Sequence, residues 1–330
     1  MPIGLKVKQE FAAKEKTQIA KKTVAKSELG KLWSCENRRL MNRRHLLKTG
    51  VSFALGCAVI PQRTLTQTKP PRLPLPPAGA DGWVSLLNGR DLTGWYTMLE
   101  KSGKNVAEAK KMVTVEEEML HILGNQVTDE HFEPGYLATS QEFENVRIRL
   151  EYKWGMKQFE PRSISKRDNG LLYGLVGADK VWPTCVECQI EEGDVGDFFL
   201  VSGVRGIQGD HGAGLFAQGV SREHGFPTPG ETGKAGRIAK GQPVAEPVTG
   251  RLKKDGNFEN LNDWNVVEVI WQGDQAAHLV NGRAVNSISG LQQPDPQNPG
   301  KFIPLTRGKI AIEIEFAEIW FRRIEVKSLV

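Results

Sequence analysis

The sequence lacks long hydrophobic runs. The compact apolar run in its first hundred residues, 51–60, is about half as long as the roughly 20 residues that a membrane-spanning helix needs. No transmembrane span is therefore expected. Of the 330 residues, 39% are hydrophobic and 25% are charged. This composition can form a sizeable core and excludes a wholly disordered or collagen-like chain.

The main part of the chain also lacks an excess of basic residues. The formal charge of +5 arises in residues 1–62, which contain 13 Lys and Arg but only 4 Glu, whereas the rest contains 31 basic and 35 acidic residues. Nucleic-acid binding requires a basic stripe on the folded domain, and none is visible. We therefore expect no nucleic-acid partner. A protein partner is not inferable from the sequence.

Cysteine is scarce, with four in the whole chain. Cys185 and Cys188 form a lone C-x-x-C motif, but a zinc site needs a second pair of ligands and a thioredoxin-like motif belongs in a βαβ unit. On a strand this odd spacing points the two thiols to opposite faces. The spacing thus favours structural cysteines.

Residues 41–60 have the organisation of an export signal, with a basic start and then a short apolar segment. The pair Arg43-Arg44 and the residues after it resemble a twin-arginine signal, which carries folded proteins across the bacterial inner membrane. A surface helix with a basic start is the alternative. We expect residues 41–62 to be the signal, and the protein to be periplasmic or extracellular.

The sequence around this segment suggests where the domain begins. Residues 1–40 are Lys-rich without apolar periodicity and are read as a disordered extension or a wrongly assigned start. Residues 63–80 form a Pro-rich linker, so the domain is expected over 81–330. Cys57 is a candidate for lipid attachment, although such sites usually have a larger aliphatic residue where Ala54 lies.

The domain has the pattern of β-structure throughout. Residues 146–154 alternate apolar and charged side chains, as a half-buried antiparallel strand should. Asn281-Gly282 predicts a type I′ hairpin turn, and only 105–111 has a helical pattern. Further strands are predicted at 83–87, 112–115, 119–123, 136–139, 171–176, 185–191, 264–271, 275–280, 309–316 and 318–326. The sequence predicts an all-β fold, a jelly-roll sandwich of two antiparallel sheets.

Residues 203–260 interrupt this pattern with a long Gly-rich insertion. Glycine occupies 13 of the 58 positions, and hydrophobic alternation is lost. A loop of this length is usually functional or mobile. His211 and His224 lie within it, and either could act as a base or a metal ligand, or have no function.

The most informative segment is 182–197. Its strand alternates with period two, so that one face is apolar and the other polar and lines an open trough. Such a polar face is ordinary sheet surface in about half of all cases. The apolar residues are Val186, Cys188 and Ile190, and the polar residues are Glu187, Gln189 and Glu191.

The residues around this strand favour a sugar site. Trp182 precedes it and Asp194 and Asp197 follow it, which would place an aromatic ring and carboxylates at one end of a sheet. Aromatic rings cover the apolar face of a sugar while carboxylates and amides bind its hydroxyls. Asp194 and Asp197 could also hold a divalent cation such as Ca²⁺, although a solvated turn is the alternative.

A direct two-carboxylate glycosidase is disfavoured. Glu187 and Glu191 are four positions apart, or about 13 Å at 3.3 Å per residue, which is too far for that mechanism unless the strand bends. Gln189 between them cannot take a proton.

Six segments, in order, resemble the signatures of the 3-keto-disaccharide hydrolase family, long catalogued as a domain of unknown function. They span essentially the whole domain. The chain departs from the commoner family pattern at Asp168-Asn169-Gly170, where many members have Asn-Ser-Gly, and at Glu191-Glu192, where many have Asp. The six segments are 82–95, 168–173, 186–190, 263–269, 278–282 and 320–326.

This resemblance implies a concanavalin-like jelly roll, usually exported, that cleaves disaccharides or glycosides carrying a ketone at C3. Such a ketone acidifies the C2 proton, so a base can remove that proton and expel the C1 substituent, after which water adds back. By position, Glu187 and Gln189 match the central strand motif of the family, with Tyr173 and Asn169 on a neighbouring segment.

Two functions therefore remain open. The first is an exported enzyme of glycan breakdown that acts on 3-keto-glycosides, and the alternative is a non-catalytic carbohydrate-binding module. The candidate catalytic residues are Glu187, Gln189 and His211, the candidate sugar-binding residues are Trp182, Tyr173, Asn169 and Glu191, and the candidate metal ligands are Asp194 and Asp197.

Overall fold

The computed structural model describes residues 77–125, 127, 132–209 and 246–329. Within these residues the chain forms two antiparallel sheets and one helix of four residues, α1 (Val106–Ala109). No helix in these ranges has the length and apolar character to cross a membrane. The predicted all-β sandwich of two antiparallel sheets is confirmed.

The first sheet has ten strands, in the order β11-β15-β14-β13-β7-β18-β5-β4, with β1 paired to β18 and β16 to β15. Its long central strands are those whose apolar and charged residues alternate most regularly in the sequence. Its strands are β1 (Trp83–Ser85), β4 (Val113–Glu116), β5 (Met119–Ile122), β7 (Val146–Gln158), β11 (Arg205–Gln208), β13 (Asn265–Gln272), β14 (Gln275–Val280), β15 (Arg283–Pro294), β16 (Phe302–Pro304) and β18 (Ala317–Ser328).

The second sheet has eight strands, in the order β12-β10-β9-β8-β17-β6-β2-β3. It carries the strand that the sequence singles out, β9, in its interior. Its strands are β2 (Trp95–Leu99), β3 (Gly103–Lys104), β6 (Gly135–Phe143), β8 (Gly170–Val176), β9 (Thr184–Gln189), β10 (Phe198–Val201), β12 (Gly250–Leu252) and β17 (Gly308–Ile314).

The core lies between the two sheets. Val186, Cys188 and Ile190 face it, whereas Cys185 belongs to a separate apolar cluster on the other face of the eight-stranded sheet. The face assignment from the period of two is confirmed, and the thiols of the C-x-x-C motif do point in opposite directions. We call the side of the eight-stranded sheet away from the core its outer face.

One buried histidine links the two sheets. The hydroxyl of Tyr173 on β8 donates to Nε2 of His278 on β14 at 3.1 Å, and Nδ1 of His278 lies 3.1 Å from the carbonyl oxygen of Gly196. Burial lowers the pKa of His278 to about 3, so the ring is neutral. A carbonyl oxygen can only accept, so Nδ1 carries the proton and holds the turn at Gly196 against the core.

Some sequence expectations required correction. The predicted turn at Asn281-Gly282 is confirmed, because both residues have positive φ between antiparallel β14 and β15. The insertion is shorter than predicted, since β11 and β12 lie inside 203–260 and pair with β15 and β10. Its central part, 210–245, and the predicted signal at 41–62 lie outside the described residues.

Candidate active site

Five carboxyl side chains gather on the outer face of the eight-stranded sheet, around the ends of β8, β9 and β17. We call them the carboxyl cluster: Asp168, Glu187, Glu191, Glu313 and Glu315. Each influences the ionisation of others in the set, which places them within electrostatic reach of one another. Glu187 and Glu313 are the deepest, with 6% and 5% of their surface exposed.

Gly170 makes room for the two deep carboxyl groups. It pairs with Gln189 on β9. A Cβ atom at this position would lie 2.7 Å from Oε1 of Glu187 and 2.8 Å from Oε2 of Glu313. The two carboxyl groups therefore lean from neighbouring strands over the bare backbone of Gly170. The sequence disfavoured a pair of carboxyl groups because Glu187 and Glu191 are too far apart along the chain. In the structure, the carboxyl group next to Glu187 belongs to Glu313 on β17 instead.

Two arginines balance the rim of the cluster. Arg162 donates to Glu315 and, at 2.5 Å, to Oδ2 of Asp168. Arg251 donates to Oε2 of Glu191 at 2.6 Å. The side chains of both arginines are about one third exposed, at 31% and 27%. The rim is thus polar and in contact with solvent, whereas the carboxyl groups below it are nearly enclosed.

Burial and mutual repulsion change the ionisation of the cluster. Burial, and then the charge of Asp168, raises the pKa of Glu187 well above its usual value, and burial and Glu187 do the same for Glu313. Burial and Asp168 outweigh Arg162 and raise the pKa of Glu315 to about 8. Because the groups are coupled, protons are shared among them. The raised pKa values keep Glu187, Glu313 and Glu315 protonated to higher pH than free carboxyl groups.

Gln189 fixes one member of the cluster. Its Nε2 donates to Oδ1 of Asp168 at 2.5 Å, while Arg162 holds the other oxygen. Burial raises the pKa of Asp168 more than Arg162 lowers it. Gln189 is 5% exposed, and its amide nitrogen is engaged with a carboxylate. Its position indicates that it orients Asp168.

The face of Glu187 is as predicted, but its exposure is not. Sequence patterning predicts an acid and an amide along an open trough, whereas Glu187 and Gln189 are both buried. Both side chains have neighbours on the outer face, since Glu313 lies beside Glu187 over Gly170 and Asp168 is bonded to Gln189. The period of a strand reveals which face a residue occupies but not what lies above that face.

An exposed aromatic ring lies beside Glu187. Phe199 on β10 pairs directly with Glu187, and on its other side with Arg251 on β12. Directly paired residues share one face of a sheet, so the ring points to the outer face. It is 38% exposed. An exposed aromatic ring therefore lies beside Glu187, where the sequence had led us to expect Trp182.

Three of the predicted sugar-binding residues occupy other positions. Trp182 precedes β9 and the Asp194 turn follows it, so they lie at opposite ends of the strand rather than together. Tyr173 is fully buried between the sheets. Asn169 is also fully buried, and its amide donates to the carbonyl oxygen of Glu313 at 2.8 Å. Tyr173 and Asn169 are therefore structural, which corrects the prediction. Glu191 does join the site, and His211 lies outside the described residues.

The predicted cation ligands are bound by basic side chains instead. Asp194 is paired with Lys166 at 2.8 Å and with Lys253 at 3.2 Å, and Asp197 accepts from Nε of Arg251 at 2.8 Å. Burial raises the pKa of Asp194, but the hydrogen bonds from the two lysines outweigh it and lower that pKa to about 2. With their oxygens already neutralised, these residues do not fit a Ca²⁺ ion, which needs free oxygen ligands.

Three residues near Glu187 were not predicted as site residues from the sequence: Glu313, Glu315 and Phe199. The alternation in Ile312-Glu313-Ile314-Glu315 does place both acids on one side of the chain at the end of β17. The sequence does not reveal that β17 neighbours β8, so it could not bring these acids to Glu187. For Phe199, the signal is the pair Phe198-Phe199, in which only one ring can face the core.

Comparison with known proteins identifies the family. The model of the 3-keto-alpha-glucoside-1,2-lyase-like domain matches residues 82–327. The chain belongs to this family, which confirms the resemblance found in the sequence. The match covers nearly all of the described domain. A search of curated proteins finds no match.

The solved structures with a similar fold include a glycosyl-hydrolase candidate and a carbohydrate-binding module. A glycosyl-hydrolase candidate of Parabacteroides distasonis is 18% identical, with a TM-score of 0.43, and the alignment covers 76% of this chain and 95% of that one. A carbohydrate-binding module of Bacillus subtilis is 10% identical, with a TM-score of 0.38, and the alignment covers 71% and 96%.

Proposed function

We propose that the protein is an exported enzyme that cleaves 3-keto-glycosides by elimination at the carboxyl cluster. The observation that carries the proposal is the convergence of Glu187 and Glu313 over Gly170. Elimination next to a ketone needs one group that takes a proton and others that donate hydrogen bonds to developing negative charge. Neighbouring carboxyl groups that share protons offer both, because one can accept a proton while another donates a hydrogen bond.

We assign the removal of the proton to Glu187. A sugar ring that packs on Phe199 would present its edge to Glu187, because the two residues are direct neighbours across β9 and β10. In its ionised form, Glu187 takes the C2 proton, and the electron pair of the C–H bond passes to the ketone oxygen at C3 as an enolate. Collapse of the enolate forms the C1–C2 double bond as the C1–O bond breaks. Water then adds across the double bond and completes hydrolysis.

We assign the donor role to Glu313. A carboxyl group kept neutral by a buried, acidic environment can donate a hydrogen bond where charge develops. As a neutral acid, Glu313 would protonate the departing C1 oxygen, while the other neutral carboxyl groups of the cluster stabilise the enolate oxygen at C3. No step of this scheme passes through a metal ion.

Replacing Glu187 with Gln tests the proposal. The substitution keeps the shape of the side chain and removes its ability to accept a proton. We expect turnover of an α-linked 3-keto-diglucoside to fall by at least 100-fold, the lower range for a lost general base, while affinity is retained. Loss of affinity with no turnover in the unsubstituted protein, with or without added Ca²⁺, would instead favour a non-catalytic carbohydrate-binding module.

A further inference from the structure

A second polar pocket lies on the same outer face of the eight-stranded sheet. It is a cavity of about 150 Å³, and its wall combines Tyr, Lys and Asp side chains with an apolar side. Its polar residues are Tyr96 on β2, Tyr136 and Glu142 on β6, Lys309 on β17 and Asp179 in the β8–β9 connection; the apolar side includes Leu175 and Pro183. None of these residues belongs to the carboxyl cluster.

Asp179 is held by two tyrosine hydroxyls. Tyr96 donates to its Oδ1 at 2.5 Å and Tyr136 to the same oxygen at 3.3 Å, while Oδ2 lies 3.1 Å from Nζ of Lys104. Burial raises the pKa of Asp179, but the hydrogen bonds from Tyr96 and Lys104 outweigh it and leave that pKa lowered. The carboxylate is therefore charged and oriented. The side chain of Asp179 is 28% exposed, so the carboxylate is open to solvent on one side.

Lys309 supplies donors beside this acceptor. Its Nζ lies 2.9 Å from the hydroxyl oxygen of Tyr96, whose own proton goes to Asp179. An ammonium group has three N–H donors, so this contact leaves others for a ligand. An oriented acceptor, a cationic donor and an apolar wall are what a site for a hydroxyl-bearing ring requires.

The pocket and the carboxyl cluster are close along the same sheet. Tyr136 and Glu313 are direct partners on β6 and β17. Lys309 and Glu313 lie on the same strand, four residues or about 13 Å apart at 3.3 Å per residue. That distance exceeds the reach of one sugar ring in contact with Glu187 but suits the next ring of the same ligand.

We propose that the pocket of Tyr96, Asp179 and Lys309 is a second sugar subsite, which binds the ring on the far side of the bond that is cleaved at Glu187. This inference rests on the proposed function, because that function defines the ligand. The subsite makes the protein selective for disaccharides and longer glycosides over glycosides with a small leaving group.

The test replaces Asp179 with Asn, which keeps the size of the side chain and removes its charge. Binding is measured by calorimetry in a Glu187→Gln background, so that ligand is not consumed. The two ligands are an α-linked 3-keto-diglucoside and methyl 3-keto-α-glucoside, which lacks the second ring. We expect Asp179→Asn to weaken binding of the diglucoside about 10-fold and to leave the methyl glycoside unchanged.

Two further variants complete the experiment. Lys309→Met removes the donor and keeps the stem of the side chain, and it should produce the same ligand-specific loss. Asp295→Asn is the matched control, since Asp295 is in the turn between β15 and β16 of the other sheet and should change neither affinity. Thermal unfolding of each variant establishes that it is folded.

The outcomes separate this inference from the proposed function. Equal effects on both ligands, no effect on either, or no binding of the diglucoside would overturn the subsite. If the unsubstituted protein shows no turnover but Asp179→Asn still weakens only the diglucoside, the subsite stands and the enzymatic proposal fails. If the unsubstituted protein turns over the diglucoside but Asp179→Asn does not weaken its binding selectively, the enzymatic proposal stands and the subsite fails.

Discussion

Gly170 is the residue on which the geometry of the site most depends. Its φ is not in the left-handed region, so alanine is compatible with the backbone, but an added methyl group would displace the carboxyl groups of Glu187 and Glu313. We expect Gly170→Ala to reduce turnover at least 10-fold, at a stability cost of about 1–3 kcal/mol from overpacking.

The control for this substitution is Gly94→Ala. Gly94 has φ of +91° and nothing within 4 Å of an added Cβ, so alanine there strains the backbone without touching the cluster. It should lower the midpoint of urea unfolding and leave turnover per folded molecule unchanged. Similar turnover in the two variants would contradict the account of Gly170.

Tyr173 provides a test of the corrected assignment. Its hydroxyl bonds His278 inside the sandwich and does not reach the outer face. Tyr173→Phe should therefore retain the kcat and KM of the unsubstituted protein while costing about 1 kcal/mol in the free energy of unfolding, measured with urea. A large rise in KM at unchanged stability would restore the sugar-binding role predicted from the sequence.

The ionisation of Glu315 predicts a pH dependence of stability. In the unfolded chain this carboxyl group ionises near its usual pKa of 4.5, and in the folded protein near 8. Between these values the unfolded chain loses the proton while the folded protein retains it, so stability falls as pH rises through that range. Below the lower value both states are protonated and this contribution is fully present.

The substitution Glu315→Gln isolates this effect. We expect the fall in melting temperature between about pH 5 and pH 8 to be smaller in this variant than in the unsubstituted protein. Glu144→Gln, at a side chain that is 51% exposed, is the matched control and should leave the profile unchanged. A pH profile of Glu315→Gln that matches the unsubstituted protein would show that the cluster is not coupled as described.

At the scale of elements, a charged link centred on Arg251 and Asp197 attaches β12 to the site. Arg251 on β12 reaches both Glu191 and Asp197, and Asp197 also accepts from the backbone nitrogen of Lys254 at 2.9 Å. Asp197 is fully buried. This link holds the end of the insertion next to Phe199 and the cluster.

Removing the link should destabilise the protein. We expect Asp197→Ala to cost about 2–4 kcal/mol, because the substitution removes a buried carboxylate that pairs with Arg251 and Lys253 and accepts from the backbone nitrogen of Lys254. Urea denaturation measures the change. A cost below about 0.5 kcal/mol would mean that β12 does not depend on this residue.

The strands show how far the sequence alone could go. In β7 and β9, alternation identified the element and the core face correctly, because each strand has one apolar and one polar side. In β8, the run Leu171-Leu172-Tyr173 is apolar on both faces, so periodicity could not show that Tyr173 points inward. Strand order is set by contacts between distant segments, so the meeting of Glu187 and Glu313 was beyond the sequence pattern.

At the scale of the whole molecule, the proposed export depends on residues before the domain. If 41–62 is a twin-arginine signal, replacing Arg43 and Arg44 with Lys should retain the protein in the cytoplasm. Fractionation of cells that produce the full-length chain measures this. Unchanged export of the double variant would rule out the twin-arginine route.

The central claim is that Glu187 removes the C2 proton of a 3-keto-glycoside. The most direct measurement uses such a substrate with deuterium at C2 and compares its rate of cleavage with that of the unlabelled compound. The account predicts slower cleavage of the labelled substrate, loss of deuterium from C2 to solvent, and neither process in Glu187→Gln. Cleavage that retains all deuterium at C2 would contradict it.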